Sequence, residues 1–203
     1  MRARIVVAAV LALAAAGVVV GLVLAGGSDE PAQAFRGSIP PEGIDLPAFE
    51  LTDEDGQLVA SDDLAGKAVA VTFLDTQCRA ECPIVAPLMG EGLKRLSADE
   101  RAQVVALAIT SDPTGDTPES VAEFLERLKV RGLLHYLVAP VDVMEPIWRA
   151  FAVTSSYETG IDDLHSIPVR IFAPDGTWVS SLHSGADLTP ANLASDLRTA
   201  LRG

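Results

Sequence analysis

Apolar positions follow three rhythms along the chain, and each predicts a different element. From Ile5 to Ala25 no side chain carries charge or a hydrogen-bonding group, and a helix needs roughly 20 such residues to cross a bilayer. Shorter unbroken runs, Ala68–Leu74 (AVAVTFL) and Gln103–Thr110 (QVVALAIT), read as strands buried on both faces. Helical spacing then appears after Pro83 up to about Leu96, after Pro118 up to about Lys129, and from Pro190 to Leu201. Proline suits a first helical turn, and Asp116 or Thr117 can cap the second of these helices.

Weaker patterns fill the gaps. Residues 47–59 read as a hairpin, with Asp53-Glu54-Asp55-Gly56 between short apolar stretches. Leu133–Val138 reads as a third strand. Glu145–Phe151 reads as a short helix whose Trp148 and Phe151 pack on the sheet. Pro168–Phe172 and Thr177–Leu182 flank a Pro174-Asp175-Gly176 turn. The order strand, loop, helix, strand, helix, strand, helix, hairpin, helix predicts an α/β domain. Its central sheet is mixed, mainly parallel, and flanked by helices. Residues 26–46 are rich in Gly, Pro and Ser and read as a linker. The expected division is a stub at 1–4, a transmembrane anchor at 5–25, a linker at 26–46 and a domain at 47–203.

Charge adds topology. Arg2 and Arg4 precede the apolar run, and all 28 acidic residues follow it. Positive charge stays on the cytoplasmic side, so the chain is expected to cross the cell membrane once, N-terminus inside and domain outside. A cleaved signal peptide is the alternative, although its apolar core is usually shorter. Phosphate backbones are repelled by so acidic a domain, which excludes nucleic acid as a partner.

The chain has two cysteines, Cys78 and Cys82. Both fall on the exported side, where disulfides persist. A bridge between them closes a tiny loop and constrains little chain entropy, so the pair reads as chemistry rather than scaffolding. It lies between a buried strand and a helix start, at the strand's carboxyl end, where open α/β sheets place their sites. A helix N-terminus favours thiolate. Arg79 adds to that effect and Glu81 opposes it. Two thiolates with an imidazole make a low-coordinate site suited to Cu(I), and three ligands from two loops can relax to receive Cu(II), whereas zinc asks for a fourth ligand. Of the three histidines, His165 precedes a strand and is the candidate partner. His135 reads as a packing or strand-edge residue and His183 as a surface one. Asp112 and Asp116 can orient the site, with turn and cap duty as the plainer role.

The stretch from Cys82 to Pro87 resembles the active-site helix of thioredoxins. The chain as a whole resembles the Sco (SenC) family. The resemblance rests on Cys78 and Cys82 followed by Pro83, on Ser111-Asp112-Pro113 with Asp116-Thr117-Pro118-Glu119, and on Asp163-Leu164-His165-Ser166 upstream of Pro174-Asp175-Gly176. Arg79 stands where that family usually has proline, and Ile167-Pro168 is similar to the cis-proline step of ordinary thioredoxins. The resemblance implies a thioredoxin-like fold with copper ligated by Cys78, Cys82 and His165. It implies a metallochaperone rather than an enzyme, delivering copper to the dinuclear copper site of cytochrome c oxidase, with the oxidase's copper-bearing subunit as partner. The alternative is a membrane-anchored thiol–disulfide oxidoreductase acting on exported cysteines. In either case Cys78 and Cys82 are a redox-active pair, and a thiol–disulfide reductant is a possible second partner.

Overall fold

The run Ala68–Leu74 forms the central strand, and all seven of its side chains are buried. Alternation sorts them. Ala68, Ala70 and Leu74 join the core on one face, while Val69, Val71 and Phe73 join the core on the other. This computed structural model describes residues 34–203. The expected anchor Ile5–Ala25 lies outside them, and no helix among the described residues is long and apolar enough to cross a membrane.

In chain order the elements are β1 (Glu50–Thr52), β2 (Leu58–Ala60), a 3-10 turn at Ser61–Leu64, β3 (Ala68–Leu74), α1 (Cys82–Leu93), α2 (Ala98–Ala102), β4 (Val104–Thr110), α3 (Pro118–Arg127), β5 (His135–Leu137), α4 (Val141–Ala150), α5 (Ser156–Thr159), β6 (Val169–Phe172), β7 (Trp178–Leu182) and α6 (Pro190–Ala200). The main sheet runs β5-β4-β3-β6-β7. β3, β4 and β5 are parallel, and β6 and β7 are antiparallel to their neighbours. α1, α3 and α6 supply the core on one face, and α4 with the β1–β2 hairpin supplies the other. Gly92 lets α1 and α6 close together, since a Cβ there would lie 2.7 Å from Leu193 Cδ2.

The mixed sheet and its helices match the sequence pattern, with local differences. The third strand is shorter than expected because the Leu133 and Leu134 N–H groups turn back to the Val130 carbonyl. α4 starts earlier, since Val143 and Met144 donate to the Pro140 carbonyl and close an extra turn before Pro146. α2 and α5 were not anticipated. Each opens on a Ser-x-x-Glu capping box, Ser97 with Glu100 and Ser155 with Glu158. The expected linker is different in its second half: the folded unit begins at Phe35. Ser38 bridges Ser181, Asp45 bridges Thr177, and the Arg36 and Gly37 N–H groups donate to buried Asp196 at 2.7 and 3.0 Å. A Cβ at Gly37 would collide with the Ser181 carbonyl, so glycine allows this segment to cover β7, an edge strand.

Candidate metal centre

Asp75 follows the last residue of β3, and the loop Thr76–Glu81 leads into α1. Three carboxylates shape that loop. Asp116 accepts the Thr76 N–H at 2.9 Å, the Thr110 hydroxyl at 2.5 Å and the Tyr136 hydroxyl at 2.7 Å. It is thus a buried strut under the residues preceding Cys78. Burial lifts its carboxyl to about 6, against the pull of those hydrogen bonds. Asp75 accepts the Gln77 N–H through Oδ1 at 2.7 Å, while its buried Oδ2 has no hydrogen-bond partner. Burial pushes its carboxyl upward as well. Asp163, from the His165 loop, accepts the Arg79 and Ala80 N–H groups at 2.7 and 3.0 Å. Those two bonds are the first causes of its lowered pKa. One carboxylate therefore latches the histidine loop to the cysteine loop.

Cys78 and Cys82 are free thiols, 2% and 0% exposed. Cys82 opens α1, and its N–H points at Cys78 Sγ, 3.4 Å away. The Cys82 thiol, followed by His165 and the Cys82 and Glu81 backbone, lowers the Cys78 pKa to about 5 from an ordinary 9.0, with burial opposing. Cys82 moves the other way: burial, then the neighbouring Cys78, holds its proton on. His165 Nε2 lies 3.4 Å from Cys82 Sγ. The two sulfurs and an imidazole nitrogen all sit within 4.8 Å of one another. The structure thus brings the three residues singled out from sequence to one rim of the sheet.

The other candidates fall elsewhere. Asp112 serves its turn, accepting from the Thr114 and Gly115 N–H groups, and Thr117 rather than Asp116 caps α3. His183 lies in a separate cleft with Glu81, Pro168 and Arg170. His135 sits on edge strand β5. Ile167–Pro168 is not a cis step, since no cis peptide occurs among the described residues. Trp148 and Phe151 pack as expected: the indole N–H donates to the Thr110 carbonyl at 2.9 Å, and Phe151 meets Phe73 edge-on. Sequence reasoning missed the latch of Asp163, the Tyr136 hydroxyl and Asp75. Only Asp75 left a signal, a carboxylate directly after a strand buried on both faces.

Donor chemistry fits a soft ion. Thiolates and imidazole are the ligands Cu(I) takes, and His165 Nδ1 is buried without a partner, free to carry the ring proton while Nε2 ligates. A cleft of about 440 Å³, lined by Gln77, Cys78, Arg79 and Arg127 among others, reaches Cys78 from one side.

The sequence model of SCO1/SenC matches residues 42–202. This chain belongs to the SCO1/SenC family. Protein sco1 of Schizosaccharomyces pombe is 27% identical over 152 residues, which is 72% of this chain and 57% of that protein. The chain therefore spans less than two thirds of that relative's length. Among solved structures, ScoI of Bradyrhizobium japonicum with copper bound superposes with a TM-score of 0.61 at 24% identity, over 77% of this chain and 98% of that one. BsSco, in which a disulfide switch is described, belongs to the Sco family of cytochrome c oxidase assembly proteins. It superposes with a TM-score of 0.64 at 22% identity, over 81% of this chain and 98% of that one. At these identities the structural likeness speaks for the thioredoxin-like Sco fold alone.

Proposed function

We propose that this chain binds one copper ion through Cys78, Cys82 and His165 and delivers it to the dinuclear copper site of cytochrome c oxidase. The observation that carries the reading is the convergence of three soft donors within 4.8 Å on a rim held by Asp116 and Asp163. Copper-bound and oxidase-assembly relatives support it. Copper is cargo here. Cys78 meets it as a ready thiolate, and Cys82 releases its proton as it ligates, so loading expels protons and weakens as pH falls. His165 closes the site from the second loop.

Redox state gates loading. Exchange with a partner disulfide moves two electrons and the Cys82 proton from the Cys78 thiolate and Cys82 thiol to that partner, which leaves as one thiolate and one thiol. What remains is a Cys78–Cys82 disulfide, which cannot ligate as thiolates. A partner dithiol reverses the step. The apolar run Ile5–Ala25 would hold the domain at the outer face of the cell membrane, beside the oxidase.

Anaerobic copper titration of the reduced full chain tests the reading. One equivalent of Cu(I) is expected, lost in Cys78→Ala or Cys82→Ala and weakened in His165→Ala. A reduced chain that retains no copper overturns it.

A further inference from the structure

At the start of β5, the β1–β2 turn brings two carboxylates against an imidazole. His135 Nδ1 lies 3.6 Å from Asp53 Oδ2 and 3.9 Å from Glu54 Oε1. All three donor atoms fall within 4.8 Å of one another. We infer that Asp53, Glu54 and His135 form a second cation site, which takes a borderline divalent ion such as zinc.

Three observations carry this. First, the carboxylates are not ordinary surface acids: the Asp53 and Glu54 side chains are only 7% and 3% exposed. Two carboxylates set this close together repel each other, and a cation bound between them relieves that repulsion. Among the described residues, His135 is the ion-pair partner they meet, because the nearby Arg131 is engaged by Asp55 at 2.9 Å and Glu126 at 3.7 Å.

Second, each carboxylate is anchored by its other oxygen. Asp53 Oδ1 accepts the Asp55 and Gln57 N–H groups at 3.0 and 2.8 Å, and Glu54 Oε2 accepts the Tyr136 N–H at 2.8 Å. Oδ2 and Oε1 are left facing the imidazole on a preset frame.

Third, 3.6 and 3.9 Å are too long for hydrogen bonds. They are close to the ligand–ligand edges of about 3.3–3.6 Å that a tetrahedral ion with bonds of about 2.0–2.2 Å creates. Water would fill the fourth position on the solvent side, where His135 is half exposed. Two carboxylates with one imidazole suit zinc and other borderline ions, and lack the sulfur that Cu(I) favours.

Zinc itself is the probe. The full chain carrying Cys78→Ser and Cys82→Ser, which removes the sulfur rim, is titrated with Zn(II) by calorimetry at neutral pH. One saturable equivalent is expected, and His135→Gln is expected to weaken it by about tenfold or more. Asp53→Asn and Glu54→Gln keep the carbonyl acceptors that anchor the turn and are expected to weaken binding similarly. Imidazole NMR of the same protein should show zinc moving the His135 signals and sparing those of His183. Absence of saturable zinc binding in the folded protein, an affinity indifferent to His135→Gln, or a response at His183 instead would overturn the site.

Discussion

His165 and His135 each face two ionisable donors, yet the protein surrounds them in opposite ways. His165 meets two fully buried thiols, and its second ring nitrogen is shut away from solvent. His135 meets two carboxylates and stays half exposed. The first arrangement is assembled across two loops, joined by one Asp163 carboxylate. The second is built on a hairpin and a strand, with every carboxylate braced by backbone amides. The same imidazole thus serves soft or borderline cations according to its neighbours. The first site is joined across two chain segments by a single carboxylate, whereas the second rests on a hairpin and a strand braced by backbone amides.

The sharpest division between the two comes from crossed variants. Cys82→Ser is expected to abolish the Cu(I) equivalent while His135→Gln retains it, as read by anaerobic copper titration. Copper loss in His135→Gln would break the separation.

A smaller effect should follow from the latch. Asp163→Ala frees the Arg79 and Ala80 amides, so Cu(I) affinity is expected to fall by about tenfold, with the Cys78 titration midpoint rising as the loop loosens. Asp163→Asn, which keeps an acceptor oxygen, should restore most of the affinity. A merely structural role would leave the Cys78 midpoint in place.

Thiolate absorbance of the reduced, metal-free protein should show one group titrating near pH 5, assigned to Cys78 by its loss in Cys78→Ser. The folded pKa is depressed, so the thiolate's contribution to stability is full above the unfolded value of 9.0 and is lost as pH falls through about 5. A midpoint above 8 would contradict the helix-start and Cys82 contacts.

The smallest effect concerns Asp116, whose pKa is raised. Its folded form is favoured below the ordinary 3.8, and that advantage is lost as pH rises through about 6. Asp116→Asn should therefore flatten the urea-midpoint difference between pH 4 and pH 7. An unchanged difference would show that the carboxylate is compensated by its three donors.

Much of this was legible beforehand. Ala68–Leu74 and Pro190–Ala200 declare themselves because burial on two faces, or on one helical stripe, leaves a periodic trace. Cys78 and Cys82 were marked by their place between strand and helix. The roles of Asp163 and Tyr136 were not legible, because each acts on residues far away in sequence. Asp163 reaches the Arg79 amide, and Tyr136 reaches Asp116. Nor did composition separate residues 35–46 from a free tether, since Gly37 and Ser38 look the same in both. What decides the matter is the pairing with Ser181 and Asp196.

That last attachment has a mechanical meaning. A tug arriving through Ala34 first meets Asp196 and Ser181, on α6 and β7. Between that seam and β3 stands all of β6. Strain along the polypeptide thus falls first on one border of the sheet and on α6, the helix that packs against α1 and its Cys82.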